Sequence, residues 1–372
     1  MHQAQLTDFV ATAPRYQLAQ ADSLAWLADA HAEAAQLLPP DRAALHARLT
    51  QAFARCGCPP SKIRQRGFEI DLGAAFAGHP LYDVTRRPRG ASTEERTRLF
   101  GALVDAYFAT AFAEDAAAPD ELIHVTCTGY LSPSPAQKLV AARGWSTRVT
   151  HAYQMGCYAA IPAVRLAQGA LRAQADAGHV EIVHTELCSL HLDPSRHALD
   201  QLVIHSLFAD GLIRYAVVPD AGDRPGLRVR AIHELIVPGT AQAMTWAVGD
   251  AGMEMTLGRD VPALIASVLR PFVQALLHKA GLTVAALGQA AVAVHPGGPK
   301  IIDLVRATLE LTEAQVATSR AVLLDHGNMS SATLPHVWMR MLADPAIPRG
   351  TLIPSLAFGP GLTVCGALLE KR

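Results

Sequence analysis

The chain is short of what a nucleic acid, a membrane or an oxidising compartment would call for. Only 17% of its 372 residues are charged, and 32 Lys and Arg against 33 Asp and Glu leave a formal charge of −1. That balance excludes a strongly basic nucleic-acid binder and a polyacidic tail. No run of about 18 uninterrupted apolar residues occurs, so no membrane span is expected. The opening residues, MHQAQLTDFVATAPRYQ, lack a basic segment followed by an apolar core, so a soluble, unprocessed, cytoplasmic protein is expected. The six cysteines, at 56, 58, 127, 157, 188 and 365, show no CxxC pairing and are too sparse for a secreted disulfide framework, which reads as reduced thiols. What the chain does have is apolar mass. Half its residues are apolar, enough for one large α/β unit or two fused halves.

One stretch organises the rest. In WSTRVTHAYQMGCYAAIPAVRLAQ, residues 145–168, Thr147, Val149 and Tyr153 belong to a β-prone run, while Ala160, Val164, Ala167 and Leu171 recur at helical spacing. The change of period falls at Met155-Gly156-Cys157. A thiol at such a strand-to-helix elbow lies beside unpaired N–H groups and the positive end of the helix dipole, both of which favour thiolate and make Cys157 a candidate nucleophile. The competing reading is a small buried hydrophobe.

Along the chain, residues 17–56 read as helical with a break at Pro39-Pro40, and a basic stretch containing Arg55, Lys62 and Arg64 follows. Such clusters are usually solvated, yet they also suit a ligand with several phosphates. A helix over 93–112, a strand over 122–127 and a strand over 179–190 come next. The last of these carries polar and apolar groups on both faces, so its alternation does not say which face is buried. A helix through Leu199 and Leu207 ends at Phe208-Ala209-Asp210-Gly211, and after a strand over 212–218 the turn-forming PDAGDRPG at 219–226 divides two halves, 1–222 and 223–372. The second half offers strands over 227–237 and 252–257, a helix over 261–280, a strand running into His295, helices from Lys300 and Glu313, and two strands around Pro360-Gly361. Alternating strands and helices in each half predict sheets covered by helices.

Four stretches, MGCYAA, VHPGGPKIID, HGNMSSAT and SLAFGPGLTV, occur in an order that resembles the chalcone synthase-like type III polyketide synthases of the thiolase superfamily. The resemblance implies an α/β thiolase fold in which two similar halves form a layered αβαβα core. It makes Cys157 the acyl-carrying nucleophile and His295 with Asn328 the pair that handles the extender unit. Phe208 is then similar to the family's gatekeeping aromatic, and Met255 stands where an aromatic is usual. Cys127, Thr128, Cys188, His191 and Ser330 resemble pocket-lining positions. Trp246 stands where plant members have a glycine; an indole pointing inward reduces the cavity, and one pointing outward leaves it alone. Each residue has a plainer alternative: a surface or core histidine, an Asn-Gly type turn at 327–328, helix-end packing for Phe208.

The implied activity is loading of an acyl-CoA starter, extension by decarboxylative condensation with malonyl-CoA, and cyclisation. Coenzyme A thioesters are the substrates, no bound cofactor or metal is required, and a homodimer is implied, without nucleic-acid or membrane partners. Arg55, Lys62 and Arg64 lie where the family binds coenzyme A but do not match it position by position. A single-condensation ketoacyl synthase III-like enzyme, perhaps loading from a carrier protein, and a catalytically idle acyl-binding partner are the alternatives.

Overall fold

A computed structural model describes residues 3–173, 178–220 and 224–372. In chain order the first half comprises β1 (Ala4–Thr12), β2 (Tyr16–Ala19), α1 (Gln20–Ala34), α2 (Pro39–Cys56), β3 (Gln65–Phe68), α3 (Thr93–Ala111), β4 (Glu121–Thr126), α4 (Pro135–Arg143), β5 (Arg148–Tyr153), α5 (Ala160–Ala173), β6 (Val180–Leu187), α6 (Leu199–Leu207) and β7 (Asp210–Pro219). The second comprises β8 (Leu227–Ile236), β9 (Met244–Gly249), β10 (Gly252–Leu257), α7 (Val261–His278), β11 (Ala293–Val294), α8 (Pro299–Thr308), α9 (Glu313–His326), α10 (Thr333–Ala343), β12 (Leu352–Gly359) and β13 (Thr363–Lys371).

Nine strands form one mixed sheet in the order β11-β12-β13-β8-β1-β7-β6-β4-β5. Outward from its middle, each half repeats a pattern: β1 and β8 pair antiparallel with β7 and β13, and these pair antiparallel with β6 and β12. Parallel neighbours follow, β4 against β6 and β11 against β12. The halves meet where Gln5 and Leu6 pair with Arg228 and Leu227. The division expected at residues 222 and 223 lies outside the described residues.

Three apolar cores separate the layers and give the expected αβαβα order. The middle core packs α5 (Ile161, Val164) and α10 (Val337, Trp338, Met341) between strands of both halves. A second core sets α1, α2 and α3 against β4, β6 and β7, and a third sets α7, α8 and α9 against β11, β12 and β13. Each fully buried Leu or Ile in these layers contributes roughly 1.5–3 kcal/mol relative to exposure. By length and composition alone α7 could cross a membrane, with a mean hydropathy of 1.4, but its Ile265, Leu269, Phe272 and Leu276 are buried in the third core. The Pro39-Pro40 break is the start of α2, where a prolyl nitrogen without hydrogen loses no helical bond.

Three elements depart from the expectation. Residues 17–19, read as helix, belong to the strand Tyr16–Ala19 paired with Gln65–Phe68; β1 is the sheet's central strand, and β9 pairs with β10 as a hairpin outside the main sheet. β6 is buried along its whole length. A strand covered on both faces has no reason to alternate, which is why its pattern was uninformative.

Candidate active site

Cys157 sits in a one-turn 3-10 segment, Gly156–Tyr158, between β5 and α5. Gly156 has φ +77°, and a Cβ there would lie 2.4 Å from Pro360 Cδ. Only glycine satisfies both demands, so the elbow is locked against the turn that joins β12 to β13. The Cys157 sulfur is buried, 3.8 Å from Ser330 Oγ. Burial pushes this thiol up to about 12, and the charge of Glu186 adds to the rise, while the Ser330 hydroxyl and the Asn328 amide pull it back. Loss of water around the sulfur thus works against the thiolate expected from the elbow's partial charges.

His295 follows β11, its N–H donating to Leu356 O at 2.7 Å. Both ring nitrogens are buried and have no hydrogen-bond partner. Burial pushes the imidazole down to about 3, so it is neutral, with one N–H donor and one lone pair unspent. Asn328 is clamped on both sides: its N–H donates to Leu207 O at 2.9 Å, and its carbonyl accepts from Ala209 N at 2.8 Å. Phe208, between them, is thus held against Asn328. The Asn328 Oδ1 accepts from Ser330 N at 2.9 Å, leaving Nδ2 a long 3.3 Å contact with Gly297 O. A Cβ on Gly297 would lie 3.6 Å from the His295 ring. The Asn328 amide thus reaches Gly297 O, two residues beyond His295, and interacts with the Cys157 sulfur. Ser330, between them, is held at φ +49°, a conformation that non-glycine residues avoid.

Trp246 and Met255 face each other across the β9–β10 hairpin. The Trp246 indole donates from Nε1 to Cys127 O at 2.7 Å and meets His191 edge-on at 6.0 Å, so of the two orientations open in the sequence it takes the inward one. Together with Cys188, Phe208 and Met255 it walls a cavity of about 30 Å³, room for one or two waters. Cys127 is a junction: its N–H donates to Glu186 Oε2 at 3.0 Å and its sulfur accepts from Gly156 N at 2.9 Å. His191 bridges Thr128 O (2.8 Å) and Met253 N (3.1 Å), which fixes its tautomer with the proton on Nε2.

Several residues of this region were not singled out in the sequence. Glu186, fully buried, is pushed up to about 7 by burial. The hydroxyls of Ser331 and Thr128 both donate to it, Thr128 at 3.3 Å. Behind Ser331 stand His184 Nδ1 at 3.0 Å and, at the other ring nitrogen, Tyr215 OH at 3.3 Å. With Ser331 donating to the carboxylate, the sequence of donors runs one way, from Tyr215 through His184 and Ser331 to Glu186. Arg66, which closes the basic stretch read as suited to phosphates, is instead buried and donates to Gln20 Oε1 at 2.8 Å, His205 O at 2.8 Å and Phe208 O at 2.7 Å, anchoring the end of α6. The available signal was charge inside strands with no polar face.

Arg55, Lys62 and Arg64 are exposed. Arg64 is ion-paired with Asp325, whereas among the described residues Arg55 and Lys62 have no ion pair. Lys300 is exposed in the first turn of α8, just beyond Gly297 and Gly298. No group of three or more His, Cys, Asp and Glu among the described residues could hold a metal ion.

Against known proteins, the model for the C-terminal domain of chalcone and stilbene synthases matches residues 228–371. That part of the chain is similar to the C-terminal domain of chalcone and stilbene synthases. The likeness reaches further toward the N-terminus: the chain is 31% identical over 246 residues to 1,3,6,8-tetrahydroxynaphthalene synthase of Streptomyces coelicolor, covering 66% of this chain and 64% of that protein. It is 30% identical over 261 residues to probable polyketide synthase 1 of Dictyostelium discoideum, covering 67% of this chain and 8% of that protein. The chain thus matches less than two thirds of the length of either relative. Its fold is shared over 100% of its length with PKS-I from the brown alga Ectocarpus siliculosus, at TM-score 0.84 and 23% identity, covering 99% of that structure. The resemblance to type III polyketide synthases in sequence and fold therefore joins both halves.

Proposed function

We propose that the chain is a type III polyketide synthase in which Cys157 carries the growing acyl chain. What supports this reading is a carboxamide, clamped by backbone bonds, that lies beside a buried thiol and bonds Gly297, two residues from a buried neutral imidazole with no partner. In loading, the Cys157 sulfur attacks the carbonyl carbon of an acyl-CoA; its proton goes by way of His295 to the departing coenzyme A sulfur. In extension, a malonyl thioester loses carbon dioxide, and the electron pair of the broken C–C bond passes into an enolate. The enolate oxygen needs fixed donors, and the N–H of a neutral His295 and Asn328 Nδ2 supply them. The depressed imidazole suits that task, because it donates without first becoming an acid. The enolate carbon then attacks the Cys157 thioester, lengthening the chain by two carbons and releasing the sulfur. After repeated rounds the product cyclises.

The small cavity behind Trp246 and Met255 favours a short product over a long one. Coenzyme A phosphates would be met by Arg55, Lys62 and Lys300, with Arg64 committed to Asp325. A homodimer of two similar halves each completes the proposal. The test is incubation with a panel of acyl-CoAs and labelled malonyl-CoA, following carbon dioxide and products by mass spectrometry. Two or more carbon dioxide molecules per product are expected, with the starter on the Cys157 peptide. One per product would instead indicate a single-condensation ketoacyl synthase, and none an idle acyl-binding protein.

A further inference from the structure

The β9–β10 flap that carries Trp246 and Met255 is attached at its two ends to different halves of the chain. Its root belongs to the second half: Met244 O, in the outermost pair of the ladder, accepts from Gly361 N at 3.0 Å. Its tip, the turn at 249–252, rests on the start of α3 in the first half. Thr93 there is the first helical residue after the Ser92 cap, so its N–H is one of the four that a helix leaves without an internal partner. That N–H donates to Asp250 O at 2.9 Å. The Thr93 hydroxyl accepts from Gly252 N at 2.7 Å and donates to Gly249 O. One residue thus makes three bonds to the turn.

Four residues earlier, Arg89 grips the flap from its side. Its Nη2 donates to Glu254 Oε1 on β10 at 2.7 Å, and its Nε donates to Asp193 Oδ2 at 3.0 Å. Asp193 is buried and also accepts from Ser195 Oγ at 2.6 Å, so the post to which Arg89 ties the flap is itself fixed. The second Glu254 oxygen pairs with Arg196 at 3.6 Å. A lone exposed ion pair contributes little, but here one guanidinium fork spans carboxylates on two elements, and its geometry is set at both ends. Gln201 and His191 also hold β10, at Met255 O and Met253 N, but both line the cavity, whereas Arg89 and Thr93 do not.

Trp246 stands between root and tip, three residues from Gly249, roughly 10 Å along the strand. Its bond to Cys127 O, and that of Gly156 N to the Cys127 sulfur, connect it to the residue next to Cys157. The cavity it bounds has room for one or two waters, so a chain that grows by two carbons at a time gains space there only if the flap shifts. We propose that Thr93 and Arg89 are positioning residues for product length: they latch the flap against α3, hold Trp246 in place, and so limit the number of condensations from outside the cavity. The inference rests on the extension of the Cys157 thioester proposed above.

The test compares product masses from butyryl-CoA and malonyl-CoA for Thr93→Val, Thr93→Ser, Arg89→Met and Glu254→Gln, each alone and combined with Trp246→Gly. Thr93→Val and Arg89→Met should lengthen the major product by one or more two-carbon units, and Glu254→Gln should act in the same direction. Thr93→Ser keeps the hydroxyl and should keep the original product. Hydrogen exchange of the backbone amides at 244–257 should be about 2–10-fold faster in Thr93→Val, as expected for one lost hydrogen bond. On the Trp246→Gly background none of the changes should lengthen the product further, because the ring that the latch positions is gone; a merely structural loss would act on either background. Unchanged product masses in Thr93→Val and Arg89→Met, each shown folded by its thermal transition, overturn the inference, and so does a further lengthening on Trp246→Gly. If those two variants fail to fold, Glu254→Gln, which replaces one oxygen by an NH2 group, decides the matter by the same readout. Absence of any acyl group on Cys157 of the unaltered protein sinks the proposed function and this inference together, whereas normal loading with unshifted products sinks only the latter.

Discussion

The indole of Trp246 donates to the carbonyl of Cys127 over 2.7 Å, and through Cys127 it is tied to the N–H of Gly156, next to the nucleophilic candidate. This bond holds the bulky ring across the space a growing chain would need. Trp246→Gly is expected to lengthen the major product by one or more two-carbon units. Trp246→Phe, which keeps bulk and loses the donor, should leave product length nearly unchanged. Product mass distributions from matched incubations check both; a Gly variant with unaltered products would show that the ring does not limit extension.

Burial of the Cys157 sulfur favours the thiol form. With Cys157 pushed up to about 12, its alkylation by iodoacetamide should be slow at pH 7 and rise about tenfold per pH unit up to pH 9 without a plateau, because only the thiolate reacts. Asn328→Ala removes one of the groups that favour the anion and should slow alkylation further. A plateau below pH 8, measured on the Cys157 peptide, would indicate an ion pair with His295 instead.

Stability should fall on acidification. Burial pushes His124, His184, His191 and His295 down to about 3, and His205 and His336 to about 4. Each gains a proton near pH 6.5 when unfolded and not when folded, so unfolding takes up protons as pH drops below that value. Glu186 and Asp210, both raised to about 7, work the other way between pH 7 and 4, but the histidines outnumber them. The urea midpoint is expected to decrease steadily from pH 7 to pH 5, by roughly 1.4 kcal/mol of unfolding free energy per pH unit for each net proton taken up. A flat profile over that range would mean these rings are solvated.

The one-way donor sequence ending on Glu186 makes a separate forecast. Ser331→Ala removes one donor to the carboxylate and unpairs His184 Nδ1, which should cost about 1–3 kcal/mol, against about 0.5–1.5 for Tyr215→Phe. Combined with His184→Phe, the Ser331→Ala loss should fall short of additivity by more than about 0.5 kcal/mol. Strict additivity in denaturant melts would dissolve the network into independent bonds.

Much of this was legible in the residues. The change of hydrophobic period at Gly156 located the elbow, because strand and helix bury side chains at different intervals. Phe208 at the end of α6 and the paired strands around Pro360 announced themselves by helical spacing and by turn residues. Glu186, His184 and Arg66 did not, since a polar group inside a doubly covered strand or an irregular segment has no periodicity to betray it, and its partners come from other elements, 31 to 147 residues away. The thiol's resting state was also hidden: the elbow's local field is readable from sequence, but the exclusion of water that overrides it is a property of the assembled layers.

Trp246 and Met255, which bound the cavity, belong to a two-stranded flap outside the nine-stranded sheet, while the sulfur, the imidazole and the carboxamide are fixed by the sheet's own connections. On the proposed function, chain length and bond-forming chemistry fall to separately mutable parts, so that exchanging one flap would retune the size of the product and leave the carbon-carbon bond-forming groups untouched.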